Sequence, residues 1–134
     1  SRQFCGPWVQ TLQSSGLDIS DLKIEGHASS EGQPNQTSEE AYIYNLGLSQ
    51  RRAQNALQVC LGGLKNGDLL GWARGRLSST GYSSARLVSR GDGSENREAS
   101  RRVEFSMALN REQLLEDIRE DLKGELASVN PRLP

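Results

Sequence analysis

Between Thr37 and Leu64 the residue types specify one long helix, and the rest of the chain is read around it. Thr37-Ser38-Glu39-Glu40 is a capping box, in which the Thr oxygen accepts from a backbone N–H three residues on and the Glu there reaches back. Downstream, Ala53, Ala56, Leu57, Cys60, Leu61 and Leu64 recur at three- and four-residue spacing, which gathers them into one apolar stripe. Gly62-Gly63 and Asn66-Gly67 supply stop signals.

The flanking segments alternate in type. Residues from about Phe4 to Ser15 read as a short helix ending at Gly16. Leu22, Ile24 and Gly26 then alternate with Lys23 and Glu25, the period-two pattern of a half-buried strand. His27 to Ser38 is a polar, turn-rich loop. Leu69 to Ala73 adds a half-buried turn carrying Trp72, and Arg76 to Tyr82 reads as a strand. Gly91-Asp92-Gly93-Ser94 is a flexible turn before a strand from Arg102 to Leu109, with Val103, Phe105 and Met107 on one face. A last amphipathic helix from Arg111 to Val129 carries Leu115, Ile118, Leu122, Leu126 and Val129 on its apolar line. Its expected place is on the sheet of its own domain, a partner or dimer helix being the rarer use of a narrow stripe. This order predicts an α/β two-layer sandwich, with helices packed on one face of a small mixed β-sheet and an extra C-terminal amphipathic helix.

A chain of 134 residues holds one hydrophobic core. A net charge of −1 argues against a general nucleic-acid surface, and no apolar run is long enough to span a membrane. The basic residues are skewed, 13 Arg against 3 Lys, which fits planar, bidentate recognition of anions and equally a GC-rich genome or ordinary surface usage. Cys5 and Cys60 lack CxxC spacing, and one His is too few to complete a zinc site with them, so no metal or cofactor is expected. They read equally as a disulfide or as two small buried hydrophobes.

On the long helix, Asn45, Ser49 and Arg52 are four and then three residues apart and share one face. An amide, a hydroxyl and a guanidinium on one stripe point to a carboxylate-bearing ligand rather than to core packing. Ser49 has no partnered His in sequence and His27 no obvious orienting acid, so no enzyme is expected.

Three segments together carry a resemblance: Ile24-Glu25-Gly26-His27, then Asn45-x-x-Leu48-Ser49-x-x-Arg52-Ala53, then Arg101-Arg102-Val103-Glu104. They resemble the OmpA-like C-terminal domain shared by outer-membrane OmpA proteins, peptidoglycan-associated lipoproteins and MotB-type stator subunits of rotary motors. The similarity runs from about Leu22 to Leu109. Within the stator branch, Tyr-Asn-Leu before Leu-Ser and Ala-Ser-Ser-Glu-Gly after Gly-His resemble the tether of Zorya antiphage motors.

The resemblance implies a peptidoglycan-binding domain over residues 1–110, followed by a helix and tail over 111–134. It implies non-covalent binding of the diaminopimelate of the stem peptide, with Arg52 on the carboxylate, Asn45 on the ligand or holding the loop, Ser49 beside them and Arg102 at the rim. It also implies a periplasmic domain of a protein anchored in the inner membrane, with peptidoglycan and a multi-spanning membrane subunit as partners. Where the family has Thr-Asp after Gly-His, this chain has Ala28-Ser29, and Ser29 supplies no charge for the ligand ammonium; Glu31, two residues on, is the candidate replacement. The alternative is a degenerate domain acting through homodimerisation. A periplasmic location permits disulfides, which tips Cys5 and Cys60 towards a bridge.

Overall fold

The computed structural model describes residues 2–129, and their secondary structure runs α1 (Arg2–Ser14), β1 (Ile19–Gly26), α2 (Ser38–Gly63), α3 (Gly67–Arg74), β2 (Leu77–Gly81), α4 (Arg97–Ser100), β3 (Val103–Leu109) and α5 (Arg111–Val129). β1 is the central strand of a three-stranded sheet ordered β2-β1-β3; it pairs parallel with β2 and antiparallel with β3. The parallel pair needs a crossover, which α2 and α3 supply.

The expected two-layer sandwich is what forms. Leu22 and Ile24 of β1 face the same side as Phe105 and Met107 of β3, and all meet Cys5 and Val9 of α1, Cys60 of α2 and Ala73 of α3 in one core. Phe4, Trp8 and Phe105 close its outer end as an aromatic cluster with centroids 5.0–6.0 Å apart. A register shift between Ile19 and Asp21 sets Ile19 three residues from Leu22 yet turns both inward, so β1 starts earlier than simple alternation indicates. The opposite face is polar, carrying Lys23, Glu25, Glu104 and Ser106.

The capping box forms as read. Thr37 accepts from Glu40 N at 3.1 Å and Glu40 accepts from Thr37 N at 3.0 Å. Hydrogen bonding from Thr37 to the Glu40 carboxyl, the backbone N–H first and the side chain second, holds it below its usual range. Cys5 and Cys60 are bonded, with Cα atoms 5.4 Å apart, and this ties α1 to the C-terminal half of α2.

Gly26 and Gly81 face each other in register at the ends of β1 and β2. A Cβ on Gly26 would overlap the Ser49 carbonyl, and one on Gly81 the Gln50 backbone. The middle of α2 therefore rests directly on the backbone of two strand ends, a close approach that only glycine permits.

Two expectations change. The half-buried turn at Leu69–Ala73 is the full helix α3, capped by Asn66, whose side chain accepts from Asp68 N and Leu69 N. The C-terminal helix does not dock on the sheet. None of the residues of α5 is buried, and Ile118, Leu122 and Leu126 are 46–57% exposed. Its apolar line, one residue wide, is too narrow to displace water from a sheet face whose outer side is polar.

Candidate functional site

The seating of α2 on Gly26 fixes the start of the helix beside the loop that leaves β1. That loop is pinned at both ends. His27 N donates to Arg102 O at 2.9 Å and Ala28 N to Ser83 O at 2.8 Å, while Gln33 N donates to Gln36 Oε1 at 2.8 Å. Between loop and helix lies a cleft of about 210 Å³ lined by Ser29, Glu31, Tyr44, Asn45, Leu48, Arg52 and Arg101, among others. It is smaller than the ~300–1,000 Å³ of sites for drug-sized ligands and suits one amino-acid end rather than a disaccharide.

Asn45 is 2% exposed; its Nδ2 donates to Glu31 O at 3.1 Å and so holds the loop. Arg52 Nη1 reaches His27 O at 3.5 Å, the outer limit for a hydrogen bond, which leaves most of its five donors uncommitted. Among the described residues no carboxylate pairs with Arg52. Glu31, by contrast, is engaged: Arg101 Nη2 donates to its Oε2 at 2.7 Å, and Arg97 Nη1 lies 3.8 Å from the same oxygen. Glu95 braces the loop from outside, accepting from Ser30 N at 2.9 Å. Burial would raise its carboxyl, but the Ser30 hydrogen bonds, with Arg97 and Arg101 nearby, hold it below its usual range.

The cleft thus offers one uncommitted guanidinium, an aromatic and an aliphatic wall, and one acid already neutralised. A larger depression of about 660 Å³ at the far end of α2, lined by Asn55, Gln58, Val59, Gly62, Gly63 and Lys65, has no such convergence of polar groups.

No family model matches the chain. It is 30% identical over 105 residues to the Zorya protein ZorB of Escherichia coli, over 78% of this chain and 45% of that protein, so it spans about half the length of the relative. The periplasmic domain of Helicobacter pylori MotB superposes with a TM-score of 0.57 at 18% identity, covering 92% of this chain and 71% of that one. A second crystal form of the C-terminal domain of the same protein gives 0.56, with 92% and 84% covered. The chain has a MotB-like fold. Its helices and small mixed sheet are arranged on that shared fold.

Within this fold, four of the expected residues meet at the cleft: Ser29, Glu31, Asn45 and Arg52. Two do not. Ser49 is fully buried; its hydroxyl donates to Leu46 O at 2.9 Å and accepts from Ser83 N at 3.0 Å, so it fastens α2 to the turn after β2. Arg102 lies on the polar side of the sheet, donating to Glu104 Oε1 at 2.6 Å and Ser100 O at 3.1 Å. Its neighbour Arg101 takes the place at the rim. Tyr44 and Leu48 also line the cleft, and Tyr44, Leu48 and Arg52 stand at four-residue spacing, the signal of a shared helix face.

His27 is buried behind the cleft. Its Nε2 lies 3.2 Å from Glu25 Oε1 and 3.9 Å from Glu104 Oε2, so the orienting acids not visible in the sequence are present. Tyr82 stacks on the imidazole at 5.1 Å, and the Arg86 guanidinium lies over the Tyr82 ring. The Arg102 hydrogen bond lowers the Glu104 carboxyl despite partial burial. Glu25, His27 and Glu104 are spaced for a cation, but Arg86 at 3.6 Å from Glu25 and Arg102 on Glu104 already supply positive charge there. Ser106 Oγ donates to Glu25 Oε2 at 3.2 Å.

Proposed function

We propose that this domain binds the diaminopimelate-type stem peptide of peptidoglycan without cleaving it and anchors a membrane protein to the cell wall. The observation that carries this reading is Arg52: a guanidinium in a cleft of amino-acid size, without a carboxylate partner among the described residues, and flanked by Tyr44, Asn45 and Leu48. A planar fork of donors is the complement of a carboxylate. Ser29 and Glu31 complete the pocket wall, while Ser49 serves it indirectly by fixing α2. On this reading residues 1–110 form the wall-binding unit and 111–134 a separate helix and tail.

The likeness to ZorB and MotB supports a periplasmic setting, attachment to an inner-membrane protein, and a stator-type motor of the Zorya antiphage kind with a multi-spanning partner subunit. Retention on purified peptidoglycan sacculi tests the proposal. The wild type is retained, and Arg52→Ala and Tyr44→Ala are lost to the wash; equal retention of all three would refute the site.

A second reading, homodimerisation without wall binding, draws on the exposed apolar line of α5. It predicts a concentration-dependent mass by light scattering that disappears when the residues after Asn110 are removed.

A further inference from the structure

We infer that the cleft takes a diaminopimelate end whose amine is acylated, as in a cross-linked stem peptide, in preference to the free zwitterion. The inference rests on the proposed function and names the form of the ligand. A free diaminopimelate end brings a carboxylate and an ammonium together, and the ammonium needs a negative acceptor once desolvated. The cleft has none to spare. Glu31 is its one lining carboxylate, and Arg101 at 2.7 Å and Arg97 at 3.8 Å from Oε2 already offset that charge. Glu95 is likewise committed to Ser30.

The cations outnumber the acids in the same space: Arg52 and Arg101 line the cleft with Glu31 alone against them. An ammonium placed there faces Arg52 and Arg101 and has only Glu31 Oε1 to turn to, on a carboxylate whose charge the arginines at Oε2 already offset. An amide brings no charge. Ser29 suits it, because its Oγ accepts a hydrogen bond from Glu31 N at 3.3 Å while its own hydrogen has no acceptor among the described residues. That hydrogen is available to an amide carbonyl, which is an acceptor; an ammonium is not.

Calorimetric titration of the protein with two synthetic stem peptides tests this. The peptides end in diaminopimelate and differ only in a free or an N-acetylated side-chain amine. The acetylated peptide binds more tightly than the free one, and Ser29→Asp, by restoring a carboxylate, moves the preference about tenfold or more towards the free amine, the worth of one charged hydrogen bond. Wild-type protein that binds the free-amine peptide as tightly as the acetylated one, or more tightly, overturns the inference and leaves wall binding standing. No binding of either peptide, with sacculus retention unmoved by Arg52→Ala, overturns the function and the inference together. The wild-type comparison decides the matter even where Ser29→Asp, at a buried position, fails to fold.

Discussion

Reducing the Cys5–Cys60 bond is the perturbation whose size follows most directly from the structure. The bond spans 55 residues and closes a loop containing β1 and nearly all of α2. Loop-closure entropy for that length is about 4 kcal/mol at 25 °C in the chain-entropy model. A domain of this kind has about 5–15 kcal/mol in total, so the loss is a large share. Both cysteines are buried in the core with Val9, Leu22 and Ile24, so reduction releases the loop constraint without removing any buried atom. Urea unfolding, followed by tryptophan fluorescence from Trp8 and Trp72, reports the change. With a slope of about 1.5–2 kcal/mol per molar, the midpoint falls by about 2 M on adding reductant. Cys5→Ala/Cys60→Ala falls at least as far and no longer responds to reductant. A midpoint that moves by less than about 0.3 M in the wild type would refute the claim that this bond constrains the unfolded chain.

Other perturbations read other parts of the structure. Gly26→Ala drives a Cβ into the Ser49 carbonyl and lowers the melting temperature by about 3–10 °C, whereas Gly124→Ala, in open space on α5, does not lower it. Acid weakens the fold through carboxyls held low in the native state: Glu104 by Arg102, and Glu95 by Ser30 against its burial. Because these groups release protons more readily when folded, their stabilisation is complete above the ordinary carboxylate value of 4.5 and fades as pH falls below it, visible as a lower urea midpoint. Removing the residues after Asn110 leaves the melting temperature within about 2 °C, since no residue of α5 is buried.

The sequence was most legible where one residue type admits one physical use. The Thr37–Glu40 box, the stripe from Ala53 to Leu64 and the alternation through Ile24 all form as their spacing requires. Legibility failed where the outcome depends on which way an element is turned. At about 100° per residue, Tyr44, Leu48, Arg52 and Asn45 span about 100° of the α2 circumference, and Ser49 lies about 40° further round, towards the core. Helical spacing groups Ser49 with Asn45 and Arg52, but the crossing point at Gly26 decides that it is buried. Arg101 and Arg102 are separated by a similar choice. The short helix α4, capped by Asn96, delivers Arg101 to the cleft, and the pleat of β3 sends Arg102 to the side of Glu104. The outer face of α5 was misjudged because a stripe pattern says that a face is apolar and not what covers it.

The bond between α1 and α2 also has a mechanical meaning. A ligand held by Arg52 grips α2 eight residues from Cys60, about 12 Å along the helix axis. Tension between that ligand and chain joined to the start of α1 therefore travels along one helix and through a covalent bond. It reaches α1 without having to peel a strand from the sheet or slide one helix off another.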